Sequence, residues 1–379
     1  MQTETIALLP AAPGHQQHLQ VLRFGHPGQG PKAYIQAALH ADEVPALLVA
    51  QHLRQQLLAL EAADALLGEV VLVPFANPLG LAQQVLGQNQ GRFDLRDGTN
   101  FNRGFAELAD AAAQLVQNSL GADAAANTRS IRQALQQALQ QQVNEALHPT
   151  PAQHLKHQLL RLAVDADVVL DLHCDHEACP HLYAATAQAT QGALLGTLLG
   201  ARAVLLADES GDTPFDEACA RPWQLLQAQF KNHPVPLVCF AATVELRGEA
   251  DTHHATAAQD ARALLEFLRQ AGVLGGPPLA GFAPAPEPLC QPTLLAASEP
   301  ITAPRTGVVV FHLEPGDWVA AGAAVADIVC VESGQHTAVC SQSAGVLYAR
   351  VHSRWATTGQ RLAKVAGSSL QRTGKLLSA

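Results

Sequence analysis

AYIQAALHADEVPALLVAQHLRQQLLALEAA, residues 33–63, is the stretch on which the fold of this chain turns. Its first seven residues, Ala33 to Leu39, are almost wholly apolar and read as a buried strand ending on His40. From Val44 onward the apolar residues recur at helical spacing, just after Asp42 and Glu43, where acidic side chains suit a helix N-terminus. Further segments follow the same plan. EVVLVPF (69–75) is a second strand stopped by Asn77-Pro78, and VVLDL (168–172) is a third, leading to His173. PLVCFAATVE (236–245) is a fourth, followed by Arg247-Gly248 and a helix over about 255–270. Gln114 to Gln142 is Ala/Gln-rich and helix-prone, and the helical pattern resumes at Ala152. Strands alternating with helices predict an α/β domain with a mixed, largely parallel sheet. Ligands of such sheets sit beyond the carboxyl ends of the strands, where His40, His173 and Glu245 all fall. Residues 83–103, rich in Gly, Asn, Asp and Arg, read as a long ordered loop of functional type.

The chain has 379 residues, too many for one ordinary core, so two domains are expected. The ranges are 1–275 for a catalytic domain, 276–300 for a Pro-rich linker and 301–379 for a small all-β domain. Lys and Arg number 23 against 33 Asp and Glu, a net charge of −10 without a basic run, which argues against nucleic acid and anionic membrane surfaces as partners. No segment reaches the ~18 apolar residues of a membrane span, and Met1 to Pro10 lacks the basic start of a signal peptide. Seven Cys, an odd number scattered singly from Cys174 to Cys340, read as reduced thiols and place the protein in the cytoplasm. Gly307 to Ile328 and Gly345 to Val365 look like two halves of a lipoyl/biotinyl-type hammerhead. The turn that would display a modified lysine reads V331-E-S-G-Q-H, so no covalent cofactor is expected. The expected role of this domain is structural: capping a pocket, narrowing access, or supporting contacts in a homo-oligomer.

The chemistry begins at L-H40-A-D-E43. A His and a Glu three apart, on a turn from strand into helix, can aim at one point. Zinc accepts imidazole nitrogen and carboxylate oxygen, and a catalytic zinc takes three protein ligands and leaves its fourth position to water. The pair alone is weak evidence in a chain with 17 His. His173, at the end of a buried strand, supplies the third ligand, and Asp171 faces the same side of the strand and can orient it. One Zn2+ per chain, held by His40, Glu43 and His173, is the expectation.

Read together, H40-x-x-E43, N77-P78, R96-D-G-T-N-F-N102-R103-G-F, D171-L-H173 and E245-L-R247-G resemble the succinylglutamate desuccinylase/aspartoacylase family over about Ala33 to Gly272. The resemblance implies a zinc carboxypeptidase-like three-layer α/β/α catalytic domain with a mixed sheet, and many relatives carry a β domain after it. It implies that Asn102 and Arg103 grip a substrate carboxylate and that Glu245 is general base and acid. Arg96 is the candidate for supporting the developing oxyanion, with Arg92 as the alternative. In the family an arginine stands seven residues before the Asn and an acid stands where this chain has Asn100. Here Arg96 is six before Asn102 and Arg92 ten before. The implied activity is a zinc amidohydrolase acting on a small N-acyl amino acid-like substrate. A metallocarboxypeptidase for short peptides is the alternative, and an inactive binding or scaffold relative the alternative outside enzymes. Asp175 and Glu177 meet either a cationic substrate group or solvent. The acidic run from Asp208 to Glu217 is by default a solvated loop, or else a negative rim for an amine-bearing substrate. His176, His181, His253 and His254 read as surface or capping residues, and Tyr348 as core.

Overall fold

The computed structural model describes residues 1–10, 12–369 and 372–377. Residues 378–379, the end of the expected β domain, lie outside them.

The opening strand runs Lys32–Ala37 and stops at Ala38, whose φ of 57° turns the chain and carries His40 past the end of the sheet. The helix then runs Pro45–Ala62, with Pro45 and not the two acids in its first turn. Proline suits that position, since its missing N–H would have no partner there. Glu43 is thereby left outside the helix, free to turn inward. The expected helix over 114–142 is two elements, Ala109–Val116 and Ala124–Glu145. Asp123 caps the second by accepting from the Ala125 N–H at 2.9 Å. Pro151–Ala163 follows, with a capping box between Thr150 and Gln153.

Nine strands form one mixed sheet, in the order Gln2–Ala7, His18–Gly25, Glu69–Val73, Lys32–Ala37, Val168–Asp175, Phe240–Gly248, His181–Ala184, Ala203–Leu206, Thr293–Leu294. The four from Glu69–Val73 to Phe240–Gly248 are mutually parallel. Alternation along the strands builds two cores. Ala33, Ile35, Leu170 and Leu172 face the helices Pro45–Ala62, Ala189–Leu199 and His254–Gln270. Tyr34, Val71, Val169 and Ala241 face the helices Ala109–Val116, Ala124–Glu145, Pro151–Ala163 and Phe215–Gln229. The domain is a three-layer α/β/α sandwich. The odd-numbered residues of Val168–Asp175, Asp171 and His173 included, point to the second face.

The Pro-rich stretch 276–300 carries the ninth strand, Thr293–Leu294, and the start of Ser298–Thr302, the first strand of the β domain. In that domain Gly307–Phe311, Trp318–Val319 and Ala324–Val329 recur as Gly345–Arg350, Trp355–Ala356 and Arg361–Gly367. Each short Trp strand crosses over: Trp318–Val319 pairs with Gly345–Arg350, and Trp355–Ala356 with Gly307–Phe311. Two facing sheets thus enclose one core around Val325, Ile328, Leu347 and Leu362. Glu177–Ala178, from the α/β domain, pairs antiparallel with Gly345–Arg350 and brings the two domains together. Among the described residues no helix is long and apolar enough to cross a membrane.

Candidate metal centre

His40, Glu43 and His173 are brought to one point, each no more than 3% exposed. Glu43 lies between the rings: its Oε1 is 2.9 Å from His40 Nδ1 and its Oε2 is 2.7 Å from His173 Nδ1. The far ring nitrogens are held from behind. His40 Nε2 is 3.0 Å from Asn100 Oδ1, and His173 Nε2 is 2.9 Å from Asp171 Oδ2. Asp171 is fixed in turn by Gln36 Nε2, which donates to its Oδ1 at 2.9 Å. His40 Nε2 faces an acceptor in Asn100 Oδ1 and His173 Nε2 lies against the Asp171 carboxylate, an arrangement that would leave both Nδ1 lone pairs for a bound metal. Three donors, two imidazole nitrogens and a carboxylate, within 4.8 Å of one another can hold a metal ion, and the set suits a four-coordinate ion with one open position. Burial, with the Arg92 charge, lowers the His40 pKa to about 4, so the ring is neutral as a ligand must be. Burial disfavours the charged form of His173 too, but Asp171 and Glu43 override it and hold its pKa well above the usual value.

The turn that presents His40 is clamped. Ala41 N–H donates to Gly91 O at 3.1 Å, and a Cβ on Gly91 would lie 2.2 Å from Asp42 N, so only glycine allows the loop so close. Lys156 ties down the same loop by donating to Asn100 O and Arg103 O at 2.8 and 2.5 Å. Burial brings its pKa down to about 8.

Glu245 stands directly beside His173 in the parallel register of their strands. Both His173 and Glu245 lie inside their strands, not at the final residue, because Val168–Asp175 and Phe240–Gly248 run on past them. Glu245 Oε2 is buried with no hydrogen-bond partner, and burial, reinforced by the Glu43 charge, pushes its pKa up to about 8. Beyond it the register slips, and Arg247, at φ 103°, is anchored by donating to both Asp260 oxygens at 2.6 and 3.1 Å.

Asn102 bridges His173, with Nδ2 3.4 Å from Nε2, and the helix Phe215–Gln229, whose Phe215 N–H donates to its Oδ1 at 2.9 Å. Arg103 lines the cavity, its pKa lowered by burial and by the facing Arg92 charge. The structure reverses the order of the two loop arginines. Arg96 turns away and forks onto Asp94 at 2.8 and 2.5 Å, an acid two residues off that competes successfully for it. Arg92 instead lines the cavity and donates to Glu43 Oε1 at 2.9 Å.

A cavity of about 410 Å³ opens over these residues. Its far wall belongs to the β domain, from which Arg350, Arg361 and Lys364 face it. Asp175 meets a cation of its own chain, pairing with Lys364, while Glu177 pairs with Arg350 and Arg354. Burial would raise the Asp175 pKa; the Lys364 charge outweighs it and holds the carboxyl far below its usual range. The acidic run is not simply a solvated loop: Asp216 and Glu217 are buried in the first turn of Phe215–Gln229 and line the cavity. Burial raises their pKa values to about 6 and 7. His181 is likewise buried, inside a strand, its Nδ1 2.9 Å from Cys179 O and its ring 4.8 Å from Tyr348. Asn100, at the position where the family pattern has an acid, is the partner of His40. Lys364 lies 191 positions after His173 on another domain, where no local sequence pattern points to it.

The sequence profile of the succinylglutamate desuccinylase/aspartoacylase catalytic domain matches residues 29–271. No curated protein matches the chain. Among solved structures, a succinylglutamate desuccinylase/aspartoacylase family protein from Shewanella amazonensis superposes with a TM-score of 0.85 at 26% identity, over 97% of this chain and 98% of that one. A relative from Shewanella frigidimarina gives 0.86 at 23% identity, over 97% of each chain. The product-bound ectoine utilization protein EutE (DoeB) of Ruegeria pomeroyi gives 0.66 at 15% identity, over 97% of this chain and 95% of that one, a likeness of fold.

Proposed function

The chain belongs to the succinylglutamate desuccinylase/aspartoacylase family, and from that premise we propose that it is a zinc-dependent deacylase, hydrolysing the amide bond of a small N-acyl amino acid. The observation that carries this reading is the placement of Glu245, buried and unpartnered at one oxygen, in register beside a converged His40, Glu43 and His173. These three residues would hold the ion. When bound, zinc supplies a Lewis acid for the scissile carbonyl and lowers the pKa of water to about 7.

The chain's own groups do the rest. Glu245 takes a proton from the attacking water and returns it to the leaving amine. Its place beside His173 in the strand register puts it within the site for both transfers. Arg92, beside Glu43, supports the negative charge that develops on the carbonyl oxygen. Asn102 and Arg103 hold the substrate carboxylate, for which a guanidinium fork gives two parallel hydrogen bonds. Asp216 and Glu217 each present a buried oxygen without a partner in the cavity wall. That favours substrates carrying an additional amine.

Cavity size favours a deacylase over a carboxypeptidase. About 410 Å³ closed on one side by the β domain suits a metabolite-sized ligand better than a peptide, which needs an open groove. The β domain would act here by narrowing access. The test is an assay of N-acetyl-, N-succinyl- and N-formyl-amino acids, with and without extra amines, against short peptides, before and after chelation and zinc return. Release of amine from acyl amino acids that follows zinc supports the reading; cleavage of peptides alone would replace it with the carboxypeptidase. Metal-independent turnover would overturn it.

A further inference from the structure

We infer that His176, Glu249 and His352 form a second metal site, for a divalent transition ion of the zinc class, clamped across the seam between the two domains.

Each donor stands just beyond the end of a strand. His176 follows Val168–Asp175, Glu249 follows Phe240–Gly248, and His352 lies two residues after Gly345–Arg350 of the β domain. The backbone holds them in place. Glu249 N–H donates to Asp175 O and His176 O at 2.9 and 3.1 Å, and Arg354, paired with Glu177, donates to His352 O at 2.9 Å.

The three facing atoms are His352 Nδ1, His176 Nδ1 and Glu249 Oε1. Their separations are 3.0 Å between the nitrogens, and 2.8 and 3.5 Å from Glu249 to His352 and His176. Metal–ligand bonds of about 2.0–2.1 Å in a tetrahedron put donors about 3.3 Å apart, close to the mean of this triangle. At most one proton can lie between two imidazole nitrogens so near each other, whereas a single cation satisfies all three lone pairs at once. Nitrogen donors favour zinc, nickel or copper over calcium and magnesium, which prefer all-oxygen shells. The side chains are 41%, 31% and 58% exposed for His176, Glu249 and His352, so water can complete the coordination sphere. The site shares no residue with the buried triad, although His176 also lines the cavity over it, and it rests on none of the catalytic assignments. Its effect is a cross-link: one ligand from the β domain and two from the α/β domain, beside the Glu177 pairs that already join them. An ion bound only in the folded, docked state stabilises that state by mass action.

The experiment is zinc titration of the full-length, metal-stripped protein by calorimetry, with elemental analysis after dialysis. Wild type is expected to bind two equivalents, and His352→Ala and Glu249→Gln one each. The second equivalent should raise the melting temperature of wild type and not of His352→Ala. His352 is exposed, so its loss leaves the fold intact. A single equivalent in wild type that disappears in His173→Ala would overturn the second site while keeping the buried one. Two equivalents in His352→Ala would also overturn it. A single equivalent that survives His173→Ala and vanishes in His352→Ala would support the seam site and remove the buried triad as a zinc centre.

Discussion

Lys364, on a strand of the β domain, is ion-paired with Asp175, two residues beyond His173 on the central strand of the sheet. The pair couples the second domain to the chemistry of the first. Its two charges act on Glu245 in opposite directions, Asp175 raising its pKa and Lys364 lowering it. Lys364→Met would leave Asp175 charged and poorly solvated, a change that costs about 3 kcal/mol when a largely buried pair is broken. Chemical denaturation should show that loss. The double variant with Asp175→Asn should recover most of it, because removing both charges also removes the desolvation penalty. Equal stability of Lys364→Met and wild type would mean that the pair holds nothing together.

Glu245→Gln keeps the shape of the side chain and removes its capacity to accept a proton. If Glu245 relays the proton, turnover falls by about 10²–10⁴-fold, the usual worth of a positioned general base. Zinc content should stay at the wild-type level, since His40, Glu43 and His173 are untouched. Loss of metal together with activity would place Glu245 among the ligands instead.

Arg92→Ala and Arg96→Ala separate two arginines four residues apart on one loop. Arg92 faces the cavity beside Glu43, so its loss should reduce kcat/KM by about 10²-fold, mainly through kcat if it supports charge that develops in the transition state. Arg96 is committed to Asp94, and its loss should leave kinetics within about twofold while costing on the order of 1 kcal/mol of stability. Steady-state kinetics on any accepted acyl amino acid decides between them. A large kinetic defect in Arg96→Ala alone would restore the assignment that spacing suggested.

What spacing could and could not show follows from where the information lies. The strand before His40 and the acid–ligand alternation of Asp171 and His173 are local patterns, so period-two and period-3.6 reading recovers them. The α/β class followed from the same patterns. Arg96 was preferred to Arg92 because sequence distance stands in poorly for loop path: Gln84–Val85 and Gln88–Asn89 form a small hairpin, and the contact of Gly91 with Ala41 and Asp42 then carries Arg92 inward. Asp216 and Glu217 lie in an acidic run of a kind that ordinarily stays in solvent. Only the packing of their helix against Asn102 and the sheet buries them. The β-domain wall is invisible for a further reason. Its contacts with the site join residues nearly 200 positions apart, and no periodicity encodes such a juxtaposition.

Glu217 provides a pH signature independent of the metal ligands. Its carboxyl ionises near 4.5 in the unfolded chain and near 7 in the folded one, raised by burial first and the neighbouring Asp216 second. Between those values the folded state binds more protons than the unfolded state, so stability must fall as pH rises. The contribution is complete below about 4.5 and lost above about 7. Glu217→Gln stays uncharged throughout and keeps an acceptor for the Ser210 N–H, which wild-type Glu217 receives at 2.7 Å. The comparison to make is denaturation free energy from about pH 4.5 to 8 for both proteins, because titrating groups distant from Glu217 cancel in the difference, leaving Glu217 and the Asp216 beside it. The variant should gain on wild type steadily as pH rises through 7. Parallel curves would mean that Glu217 ionises normally in the fold, and the cavity wall it forms would then be negative at neutral pH.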